Sequence, residues 1–108
     1  MPAGFVPVAR EEEVVEGRVL GVHVMGHPIA LCRLGSRIYA CSAACTHEDG
    51  DLTQGEVRGH EIRCPDHGST FDFRTGRVLD GPAEEPLATY EVRVERGVVY
   101  VASRPRGF

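Results

Sequence analysis

Short runs rich in Val, Ile and Tyr alternate with Gly and Pro turns along the chain, and no apolar period of helical spacing lasts two turns. That punctuation predicts an all-β protein without helices. The expected strands are Phe5–Ala9, Val19–Val24, Ile29–Leu34, Arg37–Cys41, Glu61–Arg63, Thr70–Asp72, Arg77–Leu79, Ala88–Val94 and Val98–Ala102. The clearest hairpin is the last. Ala88, Tyr90, Val92 and Val94 alternate with Thr89, Glu91 and Arg93, and Arg96-Gly97 turns the chain back into Val98–Val101. A second hairpin runs from Ile29–Leu34 through Gly35-Ser36 into Arg37–Cys41.

Between these hairpins the texture changes. From Cys45 to about Pro82 the chain is richer in Cys, His, Asp and Gly and poorer in long apolar runs. A loop-rich segment on a regular scaffold is where function concentrates. Residues 43–82 are therefore expected to form a small functional subdomain inserted in a β scaffold, within a single domain of 108 residues.

Composition narrows the partners. With 42% hydrophobic and 26% charged residues the chain can bury a core, which excludes a disordered segment. Its net charge of -4 offers no basic footprint for nucleic acid or anionic lipid. An acidic carrier suits a partner with a basic docking patch. No run approaches the roughly 20 apolar residues of a membrane span, and Met1-Pro2-Ala3-Gly4 opens no export signal, so the expected compartment is the cytoplasm. There the four cysteines stay reduced or bind metal rather than pair as disulfides.

The histidines choose between those two fates. Cys45-Thr46-His47 and Cys64-Pro65-Asp66-His67 are short pairs of one thiolate and one imidazole, separated by the 16 residues Glu48 to Arg63. Two loops brought together could place all four donors around a metal centre, and Gly50, Gly55 and Gly68 would let the backbone approach inorganic sulfide. The ligand count is that of a [2Fe–2S] cluster in which two His replace two Cys on one iron.

The pattern Cys-x-His, a spacer of this length, then Cys-x-x-His-Gly resembles the Rieske family, and Cys64 to Ser69 is similar to that family's second loop almost residue for residue. Phe71-Asp72, Thr75-Gly76, Gly81-Pro82, Pro86-Leu87 and the closing hairpin extend the resemblance to the small Rieske ferredoxins over nearly the whole chain. It implies the antiparallel-sheet Rieske fold and a [2Fe–2S] cluster, with Cys45 and Cys64 on an inner iron and His47 and His67 on an outer iron near the surface. Thr46, Glu48, Pro65, Gly68 and Pro82 are the expected docking rim, with Asp49, Asp51 and Asp66 as an acidic surface beside it.

High-potential members of that family carry a disulfide at the positions of Gly50 and Asp66, and serine and tyrosine hydroxyls that donate to sulfur. This chain keeps Ser69 but has Phe71 for the tyrosine. The resemblance therefore implies a low-potential ferredoxin, monomeric and not itself an enzyme. It would carry electrons from an NAD(P)H-dependent flavin reductase to the terminal Rieske oxygenase of an aromatic-ring dioxygenase system.

Three rival readings compete with this one. A Cys₂His₂ zinc module uses the same donors, although Cys-x-His is not usual zinc-finger spacing. A degenerate Rieske-like subunit that binds nothing would not keep all four ligands. A hydrolase lacks any nucleophile elbow or phosphate-binding glycine loop. Cys32 and Cys41 lie in apolar strands and are expected to pack as small hydrophobes. His23, His27 and His60 are expected to be solvated, and Glu11-Glu12-Glu13 to form a solvated turn.

Overall fold

The computed structural model describes residues 2–47, 50–66 and 68–106. Among them the ordered elements are strands β1 (Phe5–Arg10), β2 (Val19–Val24), β3 (His27–Leu34), β4 (Arg37–Ser42), β5 (Glu56–Arg58), β6 (Glu61–Arg63), β7 (Thr70–Asp72), β8 (Val78–Asp80), β9 (Thr89–Tyr90), β10 (Val92–Glu95) and β11 (Val98–Ala102). Two single 3₁₀ turns, Glu11–Glu13 and Leu52–Gln54, complete the set, so the all-β expectation holds.

Three antiparallel sheets result, in the orders β1-β11-β10, β2-β3-β4-β9 and β5-β6-β7-β8. The middle sheet has a core against each face, and its strand β3 is buried on both. In β3, Ile29, Ala30, Leu31 and Cys32 are all fully buried, and because successive side chains point to opposite faces they serve two cores. Ile29 and Leu31 pack with Val14, Val24, Ile38, Val99 and Val101 against the first sheet. Ala30 and Cys32 pack with Cys41, Leu52, Ile62, Phe71, Phe73 and Leu87 beneath the third. The third sheet, residues 56–80, occupies the middle of the expected 43–82 insert.

Two differences from the expected elements have physical causes. β5 was not expected: Glu56-Val57-Arg58 has the same polar-apolar-polar pattern as β6, and three residues are too few for that pattern alone to mark a strand. Its pairing with β6 sets Glu56 opposite Arg63 and Arg58 opposite Glu61, so cross-strand charge complementarity does what apolar alternation does elsewhere. Second, the expected strand Ala88–Val94 is two strands. β9 pairs with β4, Glu91 breaks the ladder, and β10 joins β11 in another sheet. The alternation accordingly slips: Thr89 is buried while Val94 is exposed. Elsewhere only bounds move: β8 lies one residue later than Arg77–Leu79, β3 begins two residues earlier at His27, and β1 and β4 each run one residue further, to Arg10 and Ser42.

The turn after β7 also has a mechanical basis. The Asp72 carboxylate accepts from the Arg74 backbone amide (2.9 Å) and from its guanidinium (2.8 Å). Gly76, at φ +82°, has no side chain because a Cβ there would collide with the Leu87 carbonyl, and the Leu87 amide donates to the Gly76 carbonyl (2.8 Å). These contacts tie the third sheet to the segment that returns to the scaffold. The acidic triplet Glu11–Glu13 is a solvated turn as expected, with Arg10 and Arg33 beside it.

Candidate metal centre

Two loops carry the predicted ligands. Cys45 and His47 follow β4, and Cys64 follows β6. His67, with the rim and surface residues Glu48 and Asp49, lies outside the described residues. Both loops close in the same way: the Cys45 amide donates to the Gly50 carbonyl and the Cys64 amide to the Ser69 carbonyl, each at 2.8 Å. In both cases the partner is five residues on, so the loop folds back over its own cysteine.

The closing residue of each loop serves the cysteine of the other. A Cβ on Gly50 would stand 2.6 Å from the Cys64 sulfur, so glycine is the residue that lets the first loop lie against the second ligand. Ser69, fully buried at the end of the second loop, hydrogen-bonds through its side chain to Cys45 and accepts from the Ala83 amide at 2.9 Å. A hydroxyl has one proton to give; with its oxygen accepting from Ala83, that proton is left for the Cys45 sulfur.

Cys45 and Cys64 are 0% and 1% exposed, and their side chains are within hydrogen-bonding reach of each other. Burial pushes the Cys45 thiol up, the His47 backbone amide pulls it down, Cys64 raises it further and the Ser69 hydroxyl lowers it. Two adjacent buried thiols cannot both ionise without a nearby cation, and a metal supplies that charge. The second pair of cysteines differs. Burial pushes Cys32 up to about 12 and raises Cys41 as well, Cys32 adding to the latter shift, with no amide or hydroxyl offsetting it. Cys32 and Cys41 pack as small hydrophobes on the face of β3 and β4 beneath the third sheet, as the sequence predicts.

His47 is half-buried. Among the described residues no third His, Cys, Asp or Glu joins Cys45 and Cys64 at one point. This arrangement, two buried sulfurs meeting where Gly50 leaves room beside Cys64, fits a [2Fe–2S] centre whose thiolates share one iron. Of the expected rim, Thr46, Pro65 and Pro82 are exposed and Gly68 is partly so; Asp51 and Asp66 are exposed. His23 and His27 are exposed as expected, while His60 is half-buried.

Sequence reasoning missed three supports of the site. The Ala83 amide held by Ser69 is one. The Thr46 hydroxyl, which donates to the Glu85 carbonyl at 2.6 Å, is another. The third is Arg63, whose guanidinium Nη2 lies 3.1 Å from where a Gly68 Cβ would stand. The equal spacing of Cys45 to Gly50 and Cys64 to Ser69 was the available signal for the loop closure.

Comparison with known proteins agrees with this geometry. Residues 4–91 match the family described as Rieske [2Fe-2S] domain. The chain is 36% identical over 95 residues to the ferredoxin component of the naphthalene 1,2-dioxygenase system of Pseudomonas putida, covering 88% of this chain and 91% of that one. Among solved structures it is similar to the ferredoxin of carbazole 1,9a-dioxygenase from Nocardioides aromaticivorans, with TM-score 0.90, 31% identity, and 94% and 100% of the two chains covered. It is also similar to a chain in the complex of reduced oxygenase and oxidized ferredoxin of carbazole 1,9a-dioxygenase, with TM-score 0.92, 32% identity, and 99% and 100% covered. The zinc alternative finds no support in these relatives.

Proposed function

We propose, for a chain that belongs to the Rieske [2Fe–2S] domain family, that it is an electron-transfer component and not a catalyst. It would carry single electrons from an NAD(P)H-dependent flavin reductase to the terminal Rieske oxygenase of an aromatic-ring dioxygenase system. The observation that carries this reading is the crossed pair of loops, in which Gly50 makes room at the Cys64 sulfur and Ser69 hydrogen-bonds Cys45.

In this reading Cys45, His47, Cys64 and His67 hold the cluster, which supplies a one-electron couple. The chain's own residues do the rest. The core of Leu52, Ile62, Phe71, Phe73 and Leu87 keeps water from the cysteine side, each of these residues being 0–1% exposed. Ser69 offers a hydrogen bond that favours the more negative, reduced state, while Phe71 brings no hydroxyl to add a second. We therefore assign a potential in the lower part of the roughly −150 to +300 mV Rieske span. His47 and the exposed rim of Thr46, Pro65 and Pro82 offer the side from which a partner's cofactor can come close.

Residues 1–108 act as one domain with a cluster-binding part at about 43–82, working as a cytoplasmic monomer that forms brief complexes with its partners. Among the described residues no helix is long and apolar enough to cross a membrane.

Electron paramagnetic resonance of the dithionite-reduced protein, with iron, zinc and acid-labile sulfide assayed on the same sample, tests the proposal. The expected result is a rhombic signal of low average g, with two irons and two sulfides per chain, retained in Cys32→Ser and lost in His47→Cys. Stoichiometric zinc with no signal would end the electron-carrier reading.

A further inference from the structure

Asp66 stands between Cys64 and the predicted ligand His67, and its carboxylate points back over the first loop. The position a Gly50 Cβ would occupy is 2.9 Å from Asp66 Oδ2 and 2.6 Å from Cys64 Sγ. Both atoms lie that close to one point, so the carboxylate oxygen and the ligand sulfur are no more than about 5.5 Å apart, the sum of the two distances. The absence of a side chain on Gly50 leaves this space for the carboxylate. At such a separation the interaction is only partly screened, since Cys64 is 1% exposed and Gly50 is buried even though Asp66 itself reaches solvent. The same loop also meets the opposite charge: the Arg63 guanidinium Nη2 lies 3.1 Å from where a Gly68 Cβ would stand.

Resting on the cluster reading above, we propose that Asp66 is a potential-setting residue: its carboxylate, held beside the Cys64 sulfur by Gly50, opposes the electron added on reduction and keeps the centre a strong reductant. Reduction adds one electron and no atom, so a fixed negative charge near the ligand sulfur raises the free energy of the reduced state more than that of the oxidised state. Arg63 acts with the opposite sign on the same loop. The balance of the two, and not the net charge of the whole chain, decides how readily the electron is passed on.

The experiment is a spectroelectrochemical titration of the cluster-loaded protein at low and high ionic strength. It compares the parent chain with Asp66→Asn, Asp66→Glu, Arg63→Gln and, as an exposed carboxylate on β8, Asp80→Asn. Each sample is first checked for the reduced-state resonance. Asp66→Asn should shift the potential upward, Asp66→Glu should keep it near the parent value, Arg63→Gln should shift it downward and Asp80→Asn should leave it nearly unchanged. The Asp66→Asn difference should shrink as salt is added. An unchanged or lowered potential in Asp66→Asn, an equal rise in Asp66→Glu, or shifts of the same sign for Asp66→Asn and Arg63→Gln would overturn the proposal while leaving the cluster reading intact. A parent chain without the resonance would overturn both.

Discussion

The two ligand loops close by the same hydrogen bond and are braced by opposite means. At the end of the first, Gly50 contributes the absence of a side chain; at the end of the second, Ser69 contributes a buried hydroxyl with two partners. The first loop is thus shaped by steric exclusion and the second by hydrogen-bond satisfaction. Each term acts on the other loop's cysteine, so neither loop can be rebuilt alone. Steric terms rise steeply with distance and hydrogen-bond terms are modest, so the two loops should fail differently when altered.

The largest effect is expected at Gly50. Gly50→Ala puts a carbon 2.6 Å from the Cys64 sulfur, closer than any real contact of that kind, and the loops must separate. Iron and sulfide content should fall by most of the parent value while far-ultraviolet circular dichroism keeps its β signature. Full cluster content in Gly50→Ala would show that the first loop is not shaped by exclusion.

Ser69→Ala should act less severely and on two readouts. The Ala83 amide, buried with its residue, loses its acceptor, which costs about 1–3 kcal/mol in chemical unfolding. The Cys45 sulfur loses a donor, so the potential should fall with the cluster retained. A stability loss with an unmoved potential would reduce Ser69 to a structural brace. The smallest effect belongs to Thr46→Val. Its exposed hydroxyl donates to the Glu85 carbonyl at 2.6 Å, and losing that bond should cost about 0.5–1 kcal/mol in the same unfolding measurement, with potential and cluster content unchanged.

Most of the fold was legible because strands obey a two-residue period. Val19–Val24, Glu61–Arg63, Thr70–Asp72 and Val98–Ala102 have the bounds expected of them. The failures came where that period carries no information. Glu56–Arg58 shares the three-residue polar, apolar, polar pattern of Glu61–Arg63, too short for the period to decide by itself, and the run ending in Val94 alternates smoothly through Glu91, where the backbone leaves one sheet for another. At the candidate site the expected donors Cys45, His47, Cys64 and His67 come from residue type and spacing, and the structure brings the side chains of Cys45 and Cys64 together. The contacts of Ser69 with Ala83 and of Thr46 with Glu85 were not legible, since they join residues 14 and 39 positions apart.

The sequence by itself determined that the chain is all-β and that two Cys/His pairs stand on glycine-bearing loops, because residue type, spacing and turn chemistry are local properties. Tertiary structure alone decided which neighbour each apolar face meets. Ile29, Ala30, Leu31 and Cys32 are all apolar, and nothing in their order says that two belong to the scaffold core and two pack in the cluster that holds Cys45 and Cys64. It also decided that Gly50 rests on the Cys64 sulfur and that Asp66 reaches the same point, for contacts across loops exist only once both loops have been closed and set against each other.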